Sequence, residues 1–215
     1  MAEVLETVPG RGGELVLRRD GTVFEVIENG VFLMDTRNGE SERLLVTGAA
    51  DRLAPGARIL IGGLGVGFSL RAALDHGSVG EAVVVEREPA VIRWNRGGPL
   101  REVHDGALDD PRVRVVEGDL IEWLRTTGET FDALCLDIDN GPEWTVTEGN
   151  TSLYTDSGLE RLGQLLRPGG VLAVWSAGAA PEFTARLRER FEDVDVVAVP
   201  VPRGEPDVIW FARNS

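Results

Sequence analysis

The chain has 215 residues, 42% hydrophobic and 27% charged, with 36 acidic against 22 basic side chains and a formal net charge of −14. That length holds one α/β domain with a full core and a small appendage, and so acidic a surface repels phosphate backbones, which argues against a nucleic-acid partner. No apolar stretch approaches the roughly 18 to 20 residues of a membrane span, and the opening Met1-Ala2-Glu3-Val4-Leu5-Glu6 is acidic where a signal region would be basic, so no membrane association and a cytoplasmic location are expected.

Residues 13 to 36 alternate in the manner of strands: Glu14 to Arg18, a turn at Asp20-Gly21, Val23 to Ile27, a turn at Asn29-Gly30, then Val31 to Met34. Asp-Gly and Asn-Gly between apolar runs are strong hairpin signals, and they predict an antiparallel appendage of about three strands. Its free edges are open to pairing across a twofold axis, which makes a homodimer an expectation. Ser41 to Leu53 reads as a helix, and Pro55-Gly56 separates it from the remainder of the chain. Two units are therefore expected: residues 1–54, hairpins and connecting helix, and residues 55–215, an α/β domain.

From there strands and helices alternate. Strands are predicted near 57–62, 82–86, 112–117, 131–137, 170–176, 194–200 and 207–213, and helices near 68–76, 88–96, 119–126, 156–167 and 181–190. Such alternation implies a doubly wound, mostly parallel seven-stranded sheet, Rossmann-like, covered on both faces and joined by right-handed crossovers. The last two strands have only Pro202 to Pro206 between them, so they are expected to pair antiparallel.

The most informative stretch is Arg58-Ile59-Leu60-Ile61-Gly62-Gly63-Leu64-Gly65-Val66-Gly67, followed by Val83-Val84-Val85-Glu86. A buried strand runs into glycines that open onto a helix, and an acid closes the next strand, which is the βαβ arrangement of an adenosine site. A dinucleotide fingerprint needs G-x-G-x-x-G; here Gly63, Gly65 and Gly67 are one residue tighter at the last gap, and no P-loop motif occurs. Glu86, 19 residues beyond Gly67, is placed to accept ribose hydroxyls. A glycine loop with a distant acid but no phosphate spacing fits S-adenosylmethionine. Ligands of open α/β sheets sit beyond the strand ends, so the candidate binding residues are Gly62, Gly63, Gly65, Gly67, Glu86 with Arg87, Asp119 with Leu120, and Asp137. The simpler reading of Glu86 and Asp119 is that they cap the helices next in the chain.

Other chemistries find less support. Cys135 lies inside a buried-strand pattern and reads as a packed thiol. His76 and His104 belong to no spaced ligand cluster, so no metal site is expected; His76 sits at a helix end and His104 in a loop with no assigned role. G-x-S-x-G is absent. Trp94, Trp123, Trp175 and Trp210 fall on periodic apolar faces and read as core.

Several motifs in order, the glycine loop, Val85-Glu86-Arg87-Glu88-Pro89, Asp110-Pro111-Arg112-Val113 leading to Gly118-Asp119, Phe131-Asp132-Ala133-Leu134, Leu153-Tyr154-Thr155 and Leu166-Arg167-Pro168-Gly169-Gly170, resemble a class I S-adenosylmethionine-dependent methyltransferase of the spermidine synthase-like branch. The resemblance implies that Glu86 binds ribose, Asp119 the adenine amino group, and the glycine loop the methionine portion. It puts Asp137 at the first aspartate of the D-x-x-D motif that orients and deprotonates an attacking amine, with Asn140 in place of the second. The acid such enzymes carry within the glycine loop falls on Val66, and their Tyr-x-Glu helix is not found in Ser41 to Ala50. On these departures methyl transfer from S-adenosylmethionine to a small-molecule nitrogen or oxygen acceptor is expected, with Asp137, Asp139 and Asn140 as catalytic residues. The alternatives are aminopropyl transfer from decarboxylated S-adenosylmethionine, and a non-catalytic protein that binds S-adenosylmethionine. The polar run after Asn140, with Glu143, Trp144 and Tyr154, is expected to form a lid over the acceptor.

Overall fold

The computed structural model describes residues 2–138, 140–143, 149–202 and 204–215. The chain opens with four antiparallel strands in sequential order, β1 (Glu3–Pro9), β2 (Glu14–Asp20), β3 (Val23–Glu28) and β4 (Val31–Asp35). The turn between β3 and β4 uses Asn29 and Gly30, both at positive φ (50° and 79°), as a tight hairpin between twisted strands requires. β1 is one strand more than the alternation predicts. Its pairing with β2 shifts register between Val4 and Glu6, which breaks the period-two pattern that would have revealed it. Leu15, Leu17 and Val26 are fully buried, and they join the core formed beneath the neighbouring helices.

Helix α1 (Glu40–Ala50) leads into the second sheet, whose strands are β5 (Ala57–Gly62), β6 (Val79–Glu86), β7 (Val113–Glu117), β8 (Phe131–Leu136), β9 (Leu166–Ser176), β10 (Glu192–Val199) and β11 (Asp207–Arg213). They lie in the order β10-β11-β9-β8-β5-β6-β7, with β9, β8, β5, β6 and β7 parallel and β11 antiparallel to both its neighbours. This is the doubly wound sheet that βα alternation implies. Helices α2 (Phe68–Asp75), α3 (Pro89–Arg96), α4 (Leu120–Thr126), α5 (Asp156–Leu165) and α6 (Pro181–Arg190) complete it. Short 3-10 helices at Pro99–His104, Ala107–Asp109 and Asn150–Tyr154 fill connections that periodicity does not report, because each is too short to show a repeat.

Buried side chains divide into two cores. One gathers α1, α2, α3 and the small sheet around Leu45, Ile59, Leu70 and Trp94; the other gathers α4, α5 and α6 around Phe131, Leu162, Phe183 and Trp210. Strand order reverses between β5 and β8, so the crevice past their carboxyl ends is where this architecture holds a ligand. Because β11 runs against β9, with Val208 opposite Ser176, its first residue reaches that same edge. Among the described residues no helix is long and apolar enough to cross a membrane.

Candidate active site at the strand ends

The glycine loop is shaped by backbone conformations that side chains disfavour. Gly63 and Gly67 both take φ 90°, and a Cβ at Gly63 would stand 2.6 Å from the Asp137 carbonyl oxygen. Gly63 thus lets β5 and β8 close on each other where the crevice begins, and the Asp137 amide donates to the Gly62 carbonyl at 3.2 Å. Gly62 packs against Leu120, which is buried and forms an apolar wall. Leu64 and Val66 turn inward and are buried, so the loop carries no charge at the position where the resemblance leads one to look for an acid.

Glu86, at the tip of β6, is buried and takes two backbone hydrogen bonds, from Leu64 at 2.9 Å and from Glu88 at 2.7 Å. Burial pushes its carboxyl up from the usual range while these amides pull it back. Each oxygen keeps acceptor capacity beyond its backbone bond. Glu88, also buried, accepts from the Arg11 amide at 3.1 and 3.0 Å, which pins the β1–β2 turn beside the tip of β6, and Arg87 lies 3.2 Å from it. Asp119 caps α4 by accepting from the Glu122 amide at 2.9 Å. The capping role is therefore real for Asp119.

Past the glycine loop the mouth becomes acidic. Asp137, directly after β8, has its carboxyl raised to about 7, first by burial and then by the charges of Glu42 and Asp207. Glu42, in the first turn of α1, is itself raised, mainly by burial, with Asp207 adding to the effect. Its carbonyl accepts from the Ser69 hydroxyl at 3.0 Å, which fixes α1 against α2. Three carboxylates from α1, β8 and β11 thus share one field. Sequence reading misses Glu42 and Asp207, since neither follows a parallel strand. The one signal for Glu42 is an acid in the first turn of the helix preceding the glycine strand.

The expected lid resolves differently. Asp139 and Trp144 lie outside the described residues. The Asn140 carbonyl accepts from the Ala177 amide at 2.9 Å and from Ser176 Oγ at 3.2 Å, joining the β8 and β9 ends. Glu143 is exposed and accepts from the Glu182 amide at 3.0 Å, so it caps α6. Tyr154 is 2% exposed and packs edge-on against Phe183, at 5.4 Å between ring centroids. Its ring belongs to the second core and does not overlie the mouth, because an aromatic at the end of a 3-10 helix is drawn into the apolar layer beneath it. Cys135 is wholly buried, and desolvation pushes its thiol up to about 12. Among the described residues no group of three or more His, Cys, Asp or Glu could hold a metal ion.

A wound sheet whose crevice offers a nucleoside cradle without phosphate spacing has the framework of class I S-adenosylmethionine-dependent transferases. Within that class the chain belongs to the spermine/spermidine synthase domain family, whose model matches residues 37–208. It is 37% identical over 142 residues to polyamine aminopropyltransferase 1 of Hyperthermus butylicus, covering 64% of this chain and 45% of that protein. It is 33% identical over 181 residues to the polyamine aminopropyltransferase of Mycobacterium tuberculosis, covering 81% of this chain and 33% of the relative. With polyamine aminopropyltransferase 1 of Streptomyces coelicolor it shares 35% over 123 residues, 57% of this chain and 22% of the relative. The chain thus spans less than half the length of these curated relatives. A crystal structure of spermidine synthase with the transition-state analogue AdoDATO superposes with a TM-score of 0.79 at 20% identity, over 99% of this chain and 74% of that one.

These matches overturn the expectation of a methyltransferase. That expectation rested on Val66 and Asn140, read as a loss of the charge a polyamine needs. Glu42 on α1 and Asp207 on β11, distant in sequence, place further negative charge near Asp137.

Proposed function

We propose that this chain carries an aminopropyltransferase site that uses decarboxylated S-adenosylmethionine as donor and a small polyamine as acceptor. The observation that carries the reading is Asp137, held beside the glycine loop in a field shared with Glu42 and Asp207. A cationic amine entering that field relieves carboxylate repulsion, whereas a neutral acceptor would leave half-buried like charges uncompensated. The donor is a substrate, consumed each turnover, and supplies a sulfonium leaving group already poised to depart.

The chain's part is positioning and proton transfer. Glu86 and the Asp119 carboxylate hold the nucleoside, Leu120 walls the base, and the glycine loop lets the donor's aliphatic arm approach the backbone. Arg87 and the Arg11 turn close the ribose end. Asp137 accepts a proton from the acceptor ammonium, and the freed nitrogen lone pair forms a bond to the propyl carbon while the carbon–sulfur bond breaks, its electrons going to sulfur. Products are the lengthened polyamine and methylthioadenosine. Orientation of this kind contributes roughly 7 to 11 kcal/mol, and a base near neutral pKa suits the proton step. In this reading the unit that carries the site includes α1, since Glu42 belongs to it, and so begins before residue 55.

The test is incubation of the purified chain with decarboxylated S-adenosylmethionine and a panel of diamines and triamines, with products read by mass spectrometry. Methylthioadenosine and an acceptor heavier by one aminopropyl group are expected. Turnover of intact S-adenosylmethionine with none of the decarboxylated donor would overturn the reading.

A further inference from the structure

Two polar residues of the segment after Glu86 press against the glycine loop. Asn95, on α3, is 0% exposed, and its Nδ2 spends its hydrogens on the Val91 carbonyl of its own helix, at 2.8 Å, and the Gly65 carbonyl, at 2.9 Å. The second bond is the one the loop feels, because it fixes which way the Gly65 peptide points. His104, ending the 3-10 helix after α3, is also 0% exposed. A Cβ at Gly67 would stand 2.4 Å from its ring, so the imidazole forms the floor on which Gly67 turns. Its Nδ1 accepts from the Ala107 amide at 3.0 Å, which leaves the proton on Nε2.

Neither residue is satisfied by this arrangement. Asn95 Oδ1 and His104 Nε2 are buried and make no hydrogen bond of good geometry among the described residues. Buried polar atoms without partners are costly, and an apolar pair of similar shape would avoid that cost. What the two side chains achieve in exchange is the path of the loop: one carbonyl held from below, one turn supported from below, and the Leu64 amide held from the side by Glu86. Burial also pushes His104 below the usual imidazole range, outweighing the opposing pull of its own backbone and of the nearby Asn95 backbone, and keeps it uncharged beneath a loop meant to meet a cationic donor.

We propose that Asn95 and His104 are positioning residues that shape the glycine loop for the donor's aliphatic arm, without touching either substrate. This rests on the aminopropyl-transfer reading. A purely structural role predicts that their loss lowers stability and weakens both substrates alike. A positioning role predicts a split, in which the donor suffers and the amine does not.

The experiment measures binding of methylthioadenosine by calorimetry, steady-state KM for donor and for amine, and Tm, on the full chain and two variants. Asn95→Leu keeps shape but cannot hold Gly65; about a tenfold loss of nucleoside affinity and a matching rise in donor KM are expected, with amine KM within about twofold. His104→Asn keeps an acceptor for the Ala107 amide but withdraws from under Gly67; a loss of about three- to tenfold, again confined to the donor, is expected. Unchanged nucleoside affinity in both variants would overturn the proposal, as would equal weakening of donor and amine accompanied by a fall in Tm. Failure of the parent chain to bind methylthioadenosine at all would instead strike the aminopropyl-transfer reading.

Discussion

On the glycine-loop half of the mouth the candidate groups, from Gly62 to Asp119, come from three consecutive βα units, each at the tip of a parallel strand. On the acidic half they come from the first turn of α1, the end of β8 and the start of β11, the last reaching the mouth only because its strand runs backward. The first half is organised by backbone: amides hold Glu86, and a helix end holds Asp119. The second is organised by charge: burial, Glu42 and Asp207 all push Asp137 the same way. In the proposed aminopropyl transfer, a pocket built this way separates donor recognition from acceptor activation, so damage to one half is expected to leave the other readable.

The sharpest way to break that separation is Asp137→Asn. Loss of the base is expected to lower kcat by about 10² to 10⁴, while methylthioadenosine affinity measured by calorimetry stays within about threefold. If donor binding fell in proportion to kcat, the two halves would not be independent. Glu86→Gln attacks the other side. Its new amide hydrogens confront the Leu64 or Glu88 N–H, and about a hundredfold loss of nucleoside affinity is expected, with amine KM little changed.

Smaller effects sharpen the acidic half. Asp207→Asn and Glu42→Gln are each expected to raise amine KM about three- to tenfold. Each also removes a like charge that raises Asp137, so the rise of kcat/KM for the amine, which tracks deprotonation of Asp137 near pH 7, moves to lower pH. A pH–rate profile that stays in place in both variants would show that the three carboxylates do not share a field.

The smallest effect is on stability. Asp137 is held above its unfolded value, so its contribution is fully present below about pH 4 and is lost as pH rises through about 7. At pH 8 the group is charged and desolvated, and Asp137→Asn is expected to stabilise the fold by about 1 to 2 kcal/mol, seen as a Tm higher by a few degrees. At pH 4 parent and variant should melt together. A destabilised variant at pH 8 would mean that the carboxylate makes favourable contacts that its raised pKa conceals.

Much of this architecture is legible in the chain itself. The apolar run Ile59 to Ile61, the glycines after it and Glu86 closing the next strand are local patterns, and each sits where a parallel βα unit places it. The antiparallel ending is equally readable, because the short Pro202 to Pro206 connection leaves no room for a crossover helix. Local patterning could not show β1, hidden by its register shift, or the placement of Tyr154 in a core instead of over the mouth.

The reaction was misjudged for a related reason. Val66 and Asn140 are visible as losses within motifs, but the acids whose charge reaches Asp137, Glu42 and Asp207, lie far from it along the chain, on either side of it, and share no motif with it. The same holds for Asn95 and His104, whose positions under the glycine loop depend on how the segment after Glu86 doubles back. Short-range patterning set the strands, the glycine turn and the acid at the tip of β6, since backbone geometry depends on near neighbours. Only the tertiary structure decided the charge of the mouth and the support of the loop, because electrostatic fields and packing act through space and take no account of sequence distance.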